Sequence, residues 1–467
     1  MLPDDLLQFE ITELAARIQS RQVSPVEVTR QVIDAIERSD SRYHAFVTVT
    51  HDLALAQARD AEARVMRREY LGPLHGVPIA LKDLCHTAGV RTSAGMPLLA
   101  DFVPAVDGTV VRKLREAGSV TVGKTQLTEG AFTEHHPEVT VPVNPWRDDL
   151  WPGASSSGSG VATALGLCFG AIGSDTGGSI RFPSAANAVT GLKPTWGRVS
   201  RHGSFALADS LDHLGPMCRS AADCGLMLAE IAGADAQDPM ASLRPVPDMM
   251  AGWPGDLKGV RLGVDPVLIS AGLDEPTRQA LTQVVKTFEG LNATIVTVAM
   301  PDPRQMVEDW PIQCAVEAAI AHEHTYPSRR TAYGPTLAGF LDLAPTVTAG
   351  QLQRIWQRRA HFRAELERVL RSVDAMLTPV QPRAGLTNQD MATLGEDPEA
   401  LNALIRYTAP IDMSGHPTMT MPIGFTVDGR PIACQLLARQ WAEDRLVLLG
   451  RAYQGVTTYH RRRPPRA

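Results

Sequence analysis

The sequence lacks several features that would place it in other protein classes. Basic residues are not in excess, because 45 lysines and arginines face 51 aspartates and glutamates, for a formal net charge of −6. Phosphate backbones are bound by concentrated basic surfaces, so nucleic acid is disfavoured as the main partner. The one basic run, at 461–463, lies beside prolines and is interpreted as a solvated tail. The longest apolar stretch, 161–173, contains several glycines and is too short to span a bilayer, so no membrane partner is expected.

Paired cysteine spacing is also absent. The six cysteines are scattered without a CxxC pair or a cysteine–histidine cluster, so the sequence implies no metal and no cofactor. Cysteines of this kind are typically buried and reduced, which favours a reducing compartment. The first residues are acidic and lack the basic start and apolar core of a signal peptide. We therefore expect a cytoplasmic protein.

Apolar periodicity and turn residues predict an α/β protein that forms one domain over 1–467. Residues 1–70 are predicted to be helical, with Ser24 capping one helix and a second helix over 52–68. Residues 71–220 alternate short apolar runs with glycine- and serine-rich turns, as buried strands of an α/β sheet do. The predicted strands are 77–81, 119–123, 169–173, 260–264, 294–298 and 375–377, and the later helices are 276–291 and 351–371. The segments 300–348 and 382–405 show no regular pattern and are interpreted as substrate-side insertions or as plain connections.

Three stretches between 76 and 183 carry candidate chemistry. Lys82 follows an apolar run directly, and a buried lysine is costly unless it is paired or neutral, although a lysine at a strand end can also extend its amine to solvent. The loop 152–160 is rich in glycine and serine and enters a helix-like segment, yet a plain flexible loop has the same composition. It matches neither the P-loop nor the dinucleotide-binding pattern. In the third stretch, 173–183, Ser179 follows two glycines, and the hydrolase elbow GxSxG is absent.

Together these stretches resemble the amidase signature family. The similarity is strongest over about 70–220 and covers the glycine/serine-rich segment from Gly153 to Pro194 and flanking segments such as Ser210–Pro216 and Ala409–Pro417. The resemblance implies a large mixed β-sheet covered by helices on both faces. It also implies a catalytic triad of Lys82, a cis-peptide Ser155 and the nucleophile Ser179. Ala154 and Ser157 stand where the family usually has glycine.

The implied chemistry is hydrolysis of an amide through an acyl-enzyme. Ser179 would pass its proton through Ser155 to Lys82, which requires a neutral lysine and hence a pKa lowered by burial. Backbone N–H groups of the glycine turn would bind the oxyanion. The predicted oxyanion donors are Thr176, Gly177, Gly178 and Ser179. Asp175 and Arg181 are expected to brace the turn, and Ser156 is expected to be a supporting loop hydroxyl.

Other residues suggest weaker alternatives. Asp212 and His213 could form a Ser–His–Asp triad, although the family resemblance makes that segment a packing turn. Cys168 could be a nucleophile but is predicted to lie inside an apolar helix. Lys124 is interpreted as structural. His135 and His136 either line the substrate channel or lie in a solvated loop.

The expected substrate is a small amide or carbamate. Large apolar residues in the segments that lack the shared pattern predict a preference for hydrophobic amides, anilides or aryl carbamates, although these residues could equally belong to the core. They are Trp310, Phe340, Leu341, Trp356, Leu401, Leu404, Ile405 and Tyr407. One rival function is that of the glutamine-hydrolysing component of a tRNA-dependent amidotransferase, and another is that of a non-catalytic scaffold. Assembly as a homodimer is compatible with the sequence.

Overall fold

A computed structural model of the chain describes residues 6–252, 255–394 and 397–465. The described residues form one mixed sheet of eleven strands in the order β1-β3-β2-β4-β6-β5-β10-β11-β9-β7-β8. The strands are β1 Phe46–Val49, β2 Pro78–Lys82, β3 Val120–Thr125, β4 Gly170–Asp175, β5 Thr190–Lys193, β6 His213–Cys218, β7 Arg261–Val264, β8 Thr294–Thr297, β9 Ala375–Pro379, β10 Thr418–Phe425 and β11 Pro431–Leu437.

Helices surround this sheet, and α/β packing of the predicted kind is confirmed. The α-helices are α1 Ile11–Gln19, α2 Pro25–Tyr43, α3 His51–Met66, α4 Thr109–Glu116, α5 Ser157–Leu165, α6 Arg181–Ala186, α7 Ala221–Ile231, α8 Glu275–Gly290, α9 Arg304–Ala321, α10 Pro335–Leu341, α11 Ala349–Leu370, α12 Asn388–Leu394, α13 Pro398–Ile405, α14 Ala409–Ser414 and α15 Glu443–Val456. Among the described residues, no helix is both long and apolar enough to cross a membrane.

The predicted strands and helices are found within a few residues of their expected ends. Ser24 caps α2 as predicted, because its hydroxyl accepts hydrogen bonds from the N–H groups of Val26 and Glu27. The N-terminal part is not purely helical, however. The short strand β1 pairs antiparallel with β3 at the edge of the sheet. A four-residue edge strand gives too short an alternation to be recognised in the sequence.

Two predictions about local structure are wrong. The segments 300–348 and 382–405 contain regular helices, including the eighteen-residue α9. This helix has Pro311 in its interior and buries Asp309, Trp310, Gln313 and Cys314, so it has no clean apolar stripe. Cys168 lies outside helix α5, which ends at Leu165. Gly166 follows in the left-handed conformation with φ +74°, which is a common way to end a helix.

The sheet brings two of the candidate stretches together. Strands β2 and β4 are parallel neighbours, with Leu81 opposite Ile172. Their carboxyl ends therefore lie at the same edge of the sheet, which is where ligands usually bind in α/β proteins. Lys82 ends β2 and Asp175 ends β4, so both stretches meet at one site.

Candidate active site

Lys82 is fully buried at the end of β2 and is held by two hydroxyl groups. Its Nζ donates to Ser155 Oγ at 2.6 Å and to Ser174 Oγ at 2.8 Å. No salt bridge involving Lys82 is found among the described residues. Burial lowers the pKa of Lys82 from 10.5 to about 7, although nearby Cys85, Asp175 and Asp212 favour the charged form. A lysine in this state can exchange a proton near neutral pH.

Ser155 and Ser179 are neighbours through the backbone. The Ala154–Ser155 peptide bond is cis, and the Ser155 side chain is fully buried. The next residue, Ser156, donates its N–H to the carbonyl of Ser179 at 3.3 Å. Ser179 itself is partly exposed, so its hydroxyl is open to a ligand. Within the described ranges, no hydrogen bond joins the Ser155 and Ser179 hydroxyls, so the structure links the first two members of the predicted triad directly and brings the third alongside them.

The turn after β4 presents free N–H groups because its carbonyls are bound from behind. The carbonyl of Asp175 accepts from His213 Nδ1 at 3.1 Å, that of Thr176 from Trp310 Nε1 at 2.8 Å, and that of Gly178 from the N–H of Phe182 at 2.7 Å. In the part of the chain that the structure describes, the N–H groups of Thr176, Gly177 and Ser179 have no partner. These groups can donate hydrogen bonds to an anion.

One predicted oxyanion donor needs correction. The N–H of Gly178 donates to Asp175 Oδ1 at 2.7 Å and is therefore already occupied. A carboxylate next to a tight turn competes for its N–H groups, and Asp175 also accepts from the N–H of Ile180 at 2.9 Å. The set of available donors is Thr176, Gly177 and Ser179.

Asp175 and Arg181 form the buried brace of this turn. Arg181 Nη2 lies 2.8 Å from Asp175 Oδ1 and also contacts Asp412, and all three side chains are fully buried. Burial alone would raise the pKa of Asp175, but the Arg181 guanidinium and the backbone donors hold it well below its usual range. Asp175 is thus an ion-paired carboxylate that fixes the turn, in keeping with the supporting position expected for it.

Ser174 is a contact of Lys82 that sequence reasoning missed. Its hydroxyl accepts from the lysine, while its backbone N–H donates to Ser156 Oγ at 3.2 Å. The Ser156 hydroxyl also donates to the Ser174 carbonyl at 3.2 Å, so the loop and strand β4 are tied together. The available signal was the position of Ser174 in the parallel partner of the lysine strand.

Of the large apolar residues expected near the substrate, Trp310 makes the clearest contact with the site. Besides its bond to Thr176, its ring lies against Gly177, where an added Cβ would be only 2.4 Å from Trp310 Cζ2. Phe340 stacks on Phe132 with 3.9 Å between ring centroids, on the loop whose Thr128 N–H donates to the Ser155 carbonyl. Trp356 and Leu401 are exposed on the surface, at 46% and 40%. The remaining members of the set are buried: Leu341, Leu404, Ile405 and Tyr407.

The two neighbouring histidines have different environments. His135 Nε2 is 3.0 Å from Ser157 Oγ, and burial together with the nearby Lys82 lowers the pKa of His135 to about 4. His135 is therefore a neutral group at the edge of the lysine cluster. His136 is buried, and its Nδ1 accepts the N–H of Glu138 at 3.1 Å. This bond gives His136 a local structural contact rather than a position beside the serines.

The alternative arrangements are not formed. His213 Nδ1 binds the carbonyl of Asp175, and Lys193 Nζ lies 3.1 Å from His213 Nε2, while Asp212 accepts from Thr176 Oγ1 at 2.6 Å. Neither side chain is bonded to a serine of the site in the described residues. Burial raises the pKa of the Cys168 thiol to about 11, which leaves it a poor nucleophile.

Lys124 occupies a second buried lysine position with a different environment. Its Nζ lies 3.1 Å from Asp83 Oδ1 in a fully buried ion pair and donates to the Cys85 carbonyl at 2.8 Å. This pairing fits the structural interpretation of Lys124. Across the described parts of the chain, no group of three metal-binding side chains is placed to hold a metal ion.

Comparison with known proteins gives the family. The model of the Amidase family matches residues 27–447. AmiD of Mycobacterium tuberculosis, whose name as an amidase is provisional, is 46% identical over 465 residues, which cover 99% of this chain and 97% of that protein. The GatA-type component of the glutamyl-tRNA(Gln) amidotransferase of Pseudomonas syringae pv. tomato is 37% identical over 486 residues, covering 98% of this chain and 99% of that protein.

Solved structures agree with this assignment. The native peptide amidase from Stenotrophomonas maltophilia superposes with a TM-score of 0.83 at 28% identity, covering 98% of both chains. The 6-aminohexanoate cyclic dimer hydrolase in complex with its substrate gives a TM-score of 0.87 at 25% identity, covering 98% of this chain and 99% of that one. With the sheet, the buried lysine and the glycine/serine-rich turns in place, this chain belongs to the amidase signature family of enzymes.

Proposed function

We propose that this amidase hydrolyses its substrate with Ser179 as nucleophile, Ser155 as proton carrier and Lys82 as base. The observation that carries the proposal is the state of Lys82, which is fully buried, bonded to Ser155 and lowered in pKa to about 7. A serine hydroxyl is a weak nucleophile unless a base takes its proton, and a lysine can act as that base only when neutral. The relay requires one further hydrogen bond, from Ser179 Oγ to Ser155 Oγ, which forms when the substrate is bound.

In the acylation step, Ser179 Oγ attacks the amide carbon. Its proton passes to Ser155 Oγ while the proton of Ser155 passes to Lys82 Nζ, so Ser155 is unchanged and Lys82 becomes an ammonium. The carbonyl oxygen gains the negative charge and is bound by the free N–H groups of Thr176, Gly177 and Ser179. These donors are fixed before the reaction, because the carbonyls behind them are already bonded.

Collapse of the tetrahedral intermediate breaks the C–N bond. An amide nitrogen leaves only when it is protonated, and the Lys82 ammonium returns its proton through Ser155 for this purpose. The product is an acyl-enzyme ester on Ser179 and a free amine. Water then attacks the ester, passes its proton along the same route, and releases the acid with Ser179 restored.

The substrate class that the surroundings favour is a hydrophobic amide, anilide or aryl carbamate. The Trp310 ring borders the oxyanion turn, and the stacked pair of Phe132 and Phe340 lies on the loop that contacts Ser155. Glutamine would need partners for its ammonium and its carboxylate, since unpaired buried charges are costly. The charged groups behind the turn, Asp175 and Arg181, are bonded to each other and do not supply such partners.

The second candidate function is glutamine hydrolysis, and it is favoured by the identity with the amidotransferase component. Kinetics on a panel of aryl amides, aliphatic amides, carbamates, esters and glutamine separates the two, with Ser179→Ala as the control for contaminating activity. We expect a higher kcat/KM for an aryl amide than for glutamine. The opposite order, particularly with activity that depends on added partner proteins, would replace the hydrophobic-amide proposal with the amidotransferase one.

The surroundings of the cysteines bear on where the enzyme works. All six lie within the described residues and are free and buried, which supports the proposed cytoplasmic location because disulfides are typical of oxidising compartments. The homodimer stays a prediction, and light scattering on the purified chain measures it directly.

A further inference from the structure

Trp310 contacts the oxyanion turn in two ways. It projects from α9, and its indole N–H donates to the carbonyl of Thr176 at 2.8 Å. Its six-membered ring covers the Cα of Gly177 so closely that a Cβ there would lie 2.4 Å from Cζ2 and 2.8 Å from Cε2. Only 8% of the tryptophan is exposed, so both contacts are shielded from water. The indole therefore holds one peptide unit of the turn by a hydrogen bond and by packing.

That peptide unit carries one of the free N–H groups. The carbonyl of Thr176 and the N–H of Gly177 belong to the same planar peptide, and in a trans peptide these two groups point in opposite directions. Fixing the carbonyl on the Trp310 side consequently directs the Gly177 N–H away from the helix. In the described residues this N–H has no partner within the chain.

The neighbouring peptide units are held by groups closer in the sequence or by the buried brace. The Gly178 carbonyl is held by the N–H of Phe182, and the Gly178 N–H is held by Asp175. The Thr176–Gly177 peptide is held by a side chain more than a hundred positions away, since the bond spans 134 residues. Its orientation thus depends on how helix α9 packs against the turn.

We propose that Trp310 is a positioning residue for amide hydrolysis, which aims the Gly177 N–H at the developing oxyanion. The inference rests on the proposed role of this turn in the reaction. An N–H aimed at the oxyanion stabilises the transition state more than the planar substrate, so its loss lowers kcat and leaves KM nearly unchanged. A tryptophan that only filled space would instead affect stability.

The test removes the indole N–H while keeping an aromatic ring. Trp310→Phe should lower kcat on an aryl amide by about tenfold, less than the 10²–10³ typical when an oxyanion donor is deleted, because the N–H is misdirected rather than removed. KM should change by less than about twofold. An aldehyde inhibitor that forms a tetrahedral adduct on Ser179 should lose affinity by about the same factor as kcat, whereas a planar amide inhibitor should not.

Trp146→Phe is the matched control. The Trp146 indole also donates to a backbone carbonyl, that of Asn187 at 2.9 Å, and it is similarly buried at 6% exposed. The two variants lose the same kind of buried bond, each worth about 1 kcal/mol of stability. Only Trp310→Phe should change kcat and the affinity for the aldehyde.

Replacement of Trp310 by benzothienylalanine, in which sulfur takes the place of the N–H, keeps the ring volume. It decides the matter even if the phenylalanine variant does not fold. A kcat within about twofold of wild type in this variant would overturn the positioning role. So would an equal loss of kcat in Trp146→Phe, or an equal loss of affinity for the planar and tetrahedral inhibitors. Retained amidase activity in Ser179→Ala would reject the proposed function itself, whatever the Trp310 variants show.

Discussion

Replacement of Lys82 by methionine should make the protein more stable while abolishing amide hydrolysis. The pKa of Lys82 falls from 10.5 to about 7 on folding, because the buried site disfavours the charged amine. A shift of 10.5 − 7 = 3.5 units corresponds to about 5 kcal/mol, at about 1.4 kcal/mol per unit, withheld from folding at pH 7 and below. Methionine avoids this cost. It also removes the hydrogen bonds to Ser155 and Ser174, which costs about 1–3 kcal/mol, so a net gain of about 2–4 kcal/mol is expected.

The gain should depend on pH in a defined direction. Between pH 7 and 10.5 the unfolded lysine holds a proton that the folded one has lost, so wild-type stability rises with pH across this window. The advantage of Lys82→Met is therefore full below pH 7 and absent above 10.5. Urea-unfolding midpoints of both proteins at about pH 6, pH 8 and pH 10 measure this difference.

The matched control is Lys124→Met, at a lysine that is equally buried but paired with Asp83 at 3.1 Å. Removing one partner of a buried ion pair leaves the other charge uncompensated, so this variant should be less stable by about 3–5 kcal/mol. The reasoning is refuted if Lys82→Met is less stable than wild type at about pH 6, or if its advantage does not shrink as the pH rises.

Three further predictions concern the chemistry and the turn. The kcat/KM for an amide should rise with pH through an acid limb near 7, where Lys82 loses its proton, and a limb near 4 would point to a carboxylate base instead. Lys82→Ala should cost several orders of magnitude in kcat/KM on amides but less on activated esters, whose leaving groups need less protonation; equal losses would exclude Lys82 as the leaving-group acid. Gly177→Ala should destabilise the protein because its methyl overlaps the Trp310 ring, and Trp310→Phe should relieve part of this cost. Strict additivity of the two substitutions in thermal unfolding would contradict the contact.

Much of the sheet and the position of the site could be predicted from the sequence, because they depend on strong local patterns. Short apolar runs between glycine turns identified β2, β3 and β4, and the parallel pairing of β2 with β4 brings Lys82 beside Ser174 and Ser155. The strands β5, β6, β10 and β11 were not predicted. They are buried on both faces and contain glycine or proline, so neither alternation nor a clean apolar run marks them.

The missed features of the site depend on contacts between distant parts of the chain. The occupied N–H of Gly178 follows from where the Asp175 carboxylate turns, which the sequence does not specify. The bond from Trp310 to Thr176 spans 134 residues and comes from a helix whose buried side mixes polar and apolar groups. Periodicity reports only one-sided burial, so a helix of this kind looks irregular until it is packed against its neighbours.

Covalent labelling of the nucleophile tests the proposed triad most directly. A fluorophosphonate probe reacts with an activated serine, and peptide mass spectrometry then locates the modified residue. We expect labelling of Ser179 in the wild type, faster labelling as the pH rises through about 7, and none in Ser179→Ala. Labelling of a different serine in the wild type, or undiminished labelling of Ser179→Ala, would contradict the proposed triad.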